Sequence, residues 1–126
     1  MEDRAKAAVL TRNEVFRQRT QAAALRVIKL YQQLPRRGDA EVLGKQLLRA
    51  ATSVAANYRA SCRARSASEY YAKLCICVEE ADETQFWLEL LGQADIFSKA
   101  RLSELEQEYA AITAILTTAR KLAKQP

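Results

Sequence analysis

Histidine is absent from this chain of 126 residues, and its absence argues against several familiar kinds of enzyme. A serine or cysteine nucleophile generally relies on a histidine base. The di-metal carboxylate bundles place a histidine three residues after a glutamate on two of their helices. The sequence therefore predicts no catalytic residue, no metal site and no cofactor, although a Ser-Lys arrangement or a carboxylate-only metal site stays conceivable.

Glycine and proline are scarce, at three and two residues, and long apolar runs are missing. A sheet protein would need more turn residues and more Val, Ile and Thr. Charges interrupt every apolar stretch before it reaches the roughly 18 residues of a membrane span. We therefore expect a soluble all-α protein, with one domain over residues 1–126.

Cysteine is also rare, and the three residues Cys62, Cys75 and Cys77 leave an odd thiol whichever two pair. The stretch near the start does not resemble a secretion signal, so the expected location is the reducing cytoplasm. Cys75 and Cys77 are two residues apart on a predicted helix, and their thiols would point to nearly opposite sides. They are interpreted as small buried side chains rather than as a redox or zinc pair.

Charge is present in quantity but unevenly distributed. The net charge is +5, with 14 Lys/Arg against 5 Asp/Glu in residues 1–65, and 6 against 10 in residues 66–126. A basic half can form a face for nucleic acid. Two halves of opposite charge can also attract each other, within one subunit or between subunits, and the sequence leaves both explanations open.

Three breaks divide the chain into four predicted helices. "LPRRGD" contains the only internal proline and ends in an Asp suited to cap a helix, "RARSAS" places Ser66 at capping-box spacing before Glu69, and "GQADIFSKA" supplies a glycine stop. The predicted helices span residues 10–34, 40–63, 67–92 and 99–124. In the first of them, the predicted apolar stripe runs through Leu25, Ile28, Tyr31 and Leu34.

The third predicted helix is apolar on more than one side. Its predicted core stripe is Tyr70, Leu74, Cys77, Ala81, Thr84, Leu88 and Leu91. Other large apolar side chains fall outside this stripe, where a lone four-helix bundle would leave them exposed. We therefore expect a homo-oligomer. The predicted subunit interface comprises Ile76, Glu80, Glu83, Phe86, Trp87 and Leu90.

A polar stripe on the second helix is formed by Gln46, Arg49, Ser53 and Asn57. It can be interpreted as a solvated face. It can equally be a partly buried network of Arg49, Ser53 and Asn57 with Glu80 and Glu83, in which Arg49 and Asn57 meet the carboxylates. A carboxylate among apolar side chains needs a charged or amide partner.

Basic side chains gather around the second helix and the loop before it. They are Arg36, Arg37, Lys45, Arg59, Arg63 and Arg65. Such residues commonly serve solubility. Repeated around an oligomer, they could also attract RNA or DNA through its phosphates, without reading the base sequence, because few aromatic residues lie among them.

The stretch "LLRAATSVAANYRASCRARSASEYYAKL" resembles the four-helix-bundle proteins encoded by intervening sequences of bacterial large-subunit ribosomal RNA genes. That family in turn resembles the accessory protein of diversity-generating retroelements. Its R-A-x-x-S-[IV]-x-x-N pattern is matched by Arg49, Ala50, Ser53, Val54 and Asn57, within a resemblance that covers residues 20–122. The family commonly follows this Asn with a Glu-Gly pair, where this chain has Ala60 and Ser61.

The resemblance implies a left-turning, antiparallel up-and-down four-helix bundle, often assembled as a homopentamer around a central channel. It implies no enzymatic activity. The retroelement relatives bind nucleic acid and a reverse transcriptase through basic surfaces. Together, residues and resemblance lead us to expect a non-enzymatic homo-oligomeric interaction protein, or alternatively a non-specific nucleic-acid-binding accessory protein.

Overall fold

A computed structural model describes residues 12–123, and its regular structure in that range is entirely helical. The helices are α1 (Arg12–Gln33), α2 (Gly38–Ser61), α3 (Ala67–Gln93) and α4 (Lys99–Ala123). The prediction of an all-α chain with four helices is confirmed. The predicted first residue of the first helix, the predicted last residue of the fourth, and both ends of the predicted domain lie outside the described residues. None of these four helices is long and apolar enough to cross a membrane.

The start of α3 is fixed by Ser66. Its backbone is extended (φ −155°, ψ 161°), and its hydroxyl oxygen accepts a hydrogen bond from the backbone N–H of Glu69 at 3.1 Å. This bond satisfies one of the amides that the first turn of a helix leaves without an intrahelical partner. The Glu69 carboxylate pairs with Arg65 at 3.5 Å. The cap that the sequence predicts at Ser66 is therefore present.

The start of α2 differs from the sequence-based expectation. The helix begins at Gly38, two residues before the predicted start, and its N-cap is Arg37, whose backbone is extended and whose side chain makes no capping bond. Asp39 instead lies in the first turn, where its carboxylate accepts from the Ala40 N–H at 2.8 Å and pairs with Arg37 at 3.1 Å. A carboxylate in the first turn still interacts favourably with the helix dipole.

At the end of α3, the sequence predicted that a glycine would stop the helix, but Gly92 has another role. Gly92 lies inside the helix, and the residue with a left-handed backbone is Asp95, at φ 57°. A Cβ atom at Gly92 would lie 3.1 Å from Lys99 Cγ and 3.4 Å from Leu102 Cδ1. Gly92 therefore allows the start of α4 to approach α3 closely, while Asp95 makes the turn between them.

The core is formed by one stripe from each helix, and the α3 stripe is buried as predicted except for Tyr70, which is partly buried. For α1 the predicted stripe is correct only in part, because Leu34 is buried and Ile28 and Tyr31 are partly buried, whereas Leu25 is 53% exposed. The apolar side chains that α1 buries are Phe16, Ala23, Ala24, Val27 and Leu30. Ala23 and the neighbouring Ala24 make this stripe small in volume, so that Leu25 dominates the sequence pattern without belonging to the core.

Each helix contacts two others. α2 packs against α1 and α3, and α4 packs against α3 and, less extensively, against α1. Within the described residues, α1 and α3 make no close backbone approach to each other, and neither do α2 and α4. α1 and α3 therefore occupy diagonal positions in the bundle, and their outer sides belong to separate surfaces of the molecule.

Candidate functional site

The outer side of α3 carries apolar side chains that the bundle leaves in contact with solvent. Ile76 is 37% exposed and Phe86 is 50% exposed, while Leu90 is partly buried. They belong to a row of residues separated by steps of three and four, which place its members along one side of a helix. This row, the α3 outer stripe, consists of Ala72, Ile76, Glu79, Glu83, Phe86 and Leu90.

Trp87, beside this stripe, is already partly held by its own subunit. Its indole packs against the core, and its Nε1–H donates to Glu83 Oε1 at 3.1 Å. The rings of Phe86 and Trp87 meet edge to face, with centroids 4.9 Å apart. Phe86 is therefore the aromatic ring that α3 presents to solvent, whereas the sequence suggested that both rings would be exposed.

Arg49 of α2 joins two carboxylates of the acidic run on α3. Its Nη1 donates to Glu80 Oε2 at 3.0 Å, and its Nη2 donates to Glu83 Oε1. The Glu80 side chain is 16% exposed, so its carboxylate is largely shielded from solvent. The hydrogen bond from Trp87, with a further contribution from Arg49, lowers the pKa of Glu83. Arg49 therefore takes part in a network with these carboxylates, which was one of the two interpretations of the polar stripe.

Asn57 does not meet these carboxylates. Its amide donates to the backbone oxygen of Ser53 at 2.9 Å and to the Ser53 hydroxyl oxygen at 3.0 Å. The register of the two helices explains the difference. The Cys77 thiol faces the Val54 carbonyl oxygen at 3.9 Å, so the step along α2 from Arg49 to Asn57 leads away from Glu80 and Glu83.

Other acidic side chains of α3 are not engaged in this way. Glu79, Asp82 and Glu89 are exposed, and within residues 12–123 they form no ion pair. No group of three or more His, Cys, Asp or Glu side chains in this part of the chain is placed to hold a metal ion. The acidic run thus divides into a fixed pair, Glu80 and Glu83, and carboxylates that face solvent.

Two of the predicted basic residues, Arg59 and Arg63, line a cleft of about 470 Å³ together with Arg17 of α1. Asn13, Glu14 and Cys62 complete its walls. Arg17 was not predicted from the sequence, because its position beside α2 depends on which side of α1 faces the core. Had Phe16 been recognised as a core residue, the next residue, Arg17, would have been placed at the edge of the core.

The remaining predicted basic residues lie elsewhere. Arg36 lines a separate pocket at the loop between α1 and α2, and Arg37 pairs with Asp39. α2 has 24 residues, and at about 1.5 Å per residue this separates its two ends by about 36 Å. Arg36 and Arg37 therefore do not join the cleft of Arg59 and Arg63. Lys45 is exposed in the first half of α2, and Arg65 pairs with Glu69.

The three cysteines are free thiols in three environments. Cys62 is exposed, Cys75 is partly buried and Cys77 is fully buried. Burial raises the pKa of Cys77 to about 12. Since a thiolate is the reactive form, Cys77 is an inert core side chain at neutral pH.

Comparisons with known proteins agree with this architecture. Residues 12–118 match the family model described as "23S rRNA-intervening sequence protein". The chain is also similar to a crystal structure of a protein with unknown function from the S23 ribosomal protein family of Bacteroides thetaiotaomicron VPI-5482. The two are 30% identical, with a TM-score of 0.81 over 88% of this chain and 99% of that one. No curated protein matches the chain. Because the family model covers most of its length, the chain belongs to the 23S rRNA-intervening sequence protein family.

Proposed function

We propose that this protein is a non-enzymatic interaction protein that works as a homo-oligomer of antiparallel up-and-down four-helix bundles in the cytoplasm. Its subunits associate through the α3 outer stripe. The observation that carries this proposal is the exposure of Phe86 and Ile76 on a helix whose opposite side already fills the core. Apolar side chains grouped on one face are typical of surfaces that another chain covers.

The antiparallel arrangement is supported by side-chain pairs and by the short connections. Arg19 near the start of α1 forms two hydrogen bonds with Glu108 in the middle of α4, at 2.8 and 2.9 Å. Gln33 at the end of α1 bonds with Arg101 at the start of α4. Pairs in this order favour opposite directions for α1 and α4. Short loops between helices likewise favour antiparallel neighbours.

Five is the number of copies that the family resemblance implies, and we adopt a pentameric ring as the preferred assembly. The Arg49 network supports a role in geometry. It fixes the carboxylate of Glu83 within the α3 outer stripe and that of Glu80 beside it. A pair of this kind, partly buried, contributes more to a defined arrangement of helices than to stability. A stripe whose side chains are held in place can make the same contact at every subunit boundary of a ring.

Replacing Phe86 with Asp should dissociate the oligomer, because the substitution removes an exposed ring and places a carboxylate in an apolar contact. The measurement is molar mass by light scattering and sedimentation, at matched protein concentrations. Leu122→Asp is the control, since Leu122 is 81% exposed near the end of α4 and lies outside the α3 outer stripe. Trp87 is less suitable, because its substitution also disturbs the core. A Phe86→Asp protein with the mass of the wild-type oligomer would contradict the interface.

A second candidate function, non-specific binding of RNA or DNA, is favoured by the cleft of Arg17, Arg59 and Arg63. Three guanidinium groups, from α1, from α2 and from the turn after α2, line one cavity, and none of them forms an ion pair within residues 12–123. Guanidinium groups bind phosphate oxygens in a bidentate manner. In a ring, the cleft would recur once in every subunit, and the fields of the copies would add.

The affinity for generic RNA and DNA should fall steeply with salt if phosphates bind in this cleft. The triple variant Arg17→Gln, Arg59→Gln, Arg63→Gln should bind weakly, and its slope of log affinity against log salt should be smaller by about one for each phosphate that it no longer binds. The double variant Arg36→Gln, Arg37→Gln is the matched control at the other end of α2. Fluorescence anisotropy with labelled oligonucleotides measures both. Absence of binding by the wild-type protein at low salt would reject this candidate.

A further inference from the structure

The strongest opposition of charge in the molecule lies between two helices that never meet. α1 carries five basic residues and one acidic residue, while α3 carries six acidic residues and one basic residue. Because α1 and α3 are diagonal, with no close approach between them in the described residues, one subunit cannot bring these charges together. The charges of α1 and those of α3 therefore lie on separate sides of the bundle.

α1 also carries exposed apolar side chains on the side away from the core. Val15 is 58% exposed and Leu25 is 53% exposed. They share one face with Gln18, Ala22 and Lys29, at steps of three and four residues. This row, Val15, Gln18, Ala22, Leu25 and Lys29, is the α1 outer stripe. Each of its residues is exposed, and Lys29 forms no ion pair within residues 12–123.

The two outer stripes are complementary in composition. The α1 outer stripe combines aliphatic side chains with a lysine, and Arg26 lies one position beyond Leu25. The α3 outer stripe combines Ile76 and Phe86 with Glu79, whose carboxylate is exposed. Two α3 stripes placed against each other would bring like charges together, at a cost in free energy. An α1 stripe against an α3 stripe joins opposite charges and covers the apolar groups of both.

We infer that the α1 outer stripe of one copy docks on the α3 outer stripe of the next copy. The inference rests on the proposed homo-oligomer and adds which two surfaces meet. Because the surfaces differ, the interface is head-to-tail, and each copy uses both of its sides. A head-to-tail interface continues from copy to copy until a ring closes, whereas two identical surfaces would stop at a dimer.

A mixing experiment tests this pairing with two single variants. Phe86→Asp damages only the α3 stripe, and Leu25→Asp damages only the α1 stripe. Each variant alone should be a monomer, because a head-to-tail contact needs both stripes. Mixed at high protein concentration, they should form a heterodimer of one copy each, since the intact α1 stripe of the first fits the intact α3 stripe of the second. The heterodimer cannot grow, because its two outward stripes are both damaged. Native mass spectrometry with one variant tagged identifies its composition.

The outcomes separate this inference from the proposed function. If Leu25→Asp keeps the wild-type mass while Phe86→Asp is monomeric, the α1 stripe is not the partner and the oligomer through α3 stands. If both variants are monomeric but no heterodimer forms, the pairing of the two stripes is wrong. If the wild-type protein is itself a monomer, both proposals fail. Leu122→Asp again controls for an added surface charge. Should Leu25→Asp fail to fold, as judged by circular dichroism, Val15→Asp and Leu25→Gln replace it on the same stripe.

Discussion

Replacement of Leu88 by Ala should lower the free energy of unfolding by about 2–5 kcal/mol and leave the number of copies in the oligomer unchanged. Leu88 is a fully buried residue near the end of the α3 core stripe, in one cluster with side chains from all four helices. Truncation there removes buried apolar atoms and leaves a cavity that close-packed neighbours fill only in part. The change lies on the inner side of α3, away from the α3 outer stripe.

Phe86→Ala is the matched comparison, two residues earlier on the same helix but on the outer side. It should weaken assembly and change the stability of an isolated subunit by less than Leu88→Ala does, because half of the Phe86 surface is already in solvent. Chemical denaturation at a single protein concentration gives the stabilities, since dissociation and unfolding are linked. Light scattering gives the masses. If Leu88→Ala dissociates the oligomer while Phe86→Ala does not, the two sides of α3 do not have separate roles.

The inner side of α3 could be predicted from the sequence because its signals agree with one another. Ser66 marks the start of the helix, and buried residues then recur at steps of three and four from Leu74 to Leu91, with leucines at both ends of the stripe. α1 has no such agreement. Its core stripe also contains small residues, Thr20 and Ala23, but the large apolar residues Leu25 and Val15 lie beside that stripe, in solvent. If the outer side of α1 is an interface, its exposed apolar residues obscure the periodic spacing of the core residues in the sequence.

The candidate site could be predicted only where its parts lie close in sequence or carry opposite charge. The partnership of Arg49 with the acidic run was one of two open alternatives, since a partly buried carboxylate needs a donor. Trp87 and Glu83 are four residues apart on one helix, so the hydrogen bond between them could have been predicted from the sequence, but it was not. The basic cleft joins Arg17 of α1 to Arg59 of α2, and no periodicity within either helix indicates how the two helices are placed against each other.

Arg49→Leu should lower the stability of the subunit by about 1 kcal/mol near neutral pH, a modest figure because the Arg49 side chain is half exposed and solvent screens the pair. The loss should come mainly from Glu80 and Glu83, which would keep their charges without a cation. A double-mutant cycle with Glu80→Gln isolates the part that belongs to the pair. Arg37→Leu removes an exposed arginine paired with Asp39 and should change stability by no more than about 0.5 kcal/mol.

The difference between wild type and Arg49→Leu should shrink as the pH falls. Glu83 has a pKa below its ordinary value in the folded chain, because Trp87 and then Arg49 donate hydrogen bonds to its carboxylate. A lowered pKa in the folded state stabilises the protein above the unfolded-state pKa of about 4.3, and this stabilisation is lost as the pH falls through the folded-state value. Arg49→Leu removes part of the shift and leaves the part due to Trp87. The variant should therefore lose less stability than wild type on acidification, as measured by denaturant titrations from neutral pH to below pH ~4. A difference that stays constant over this range would mean that Arg49 acts through packing of its aliphatic chain rather than through the carboxylates.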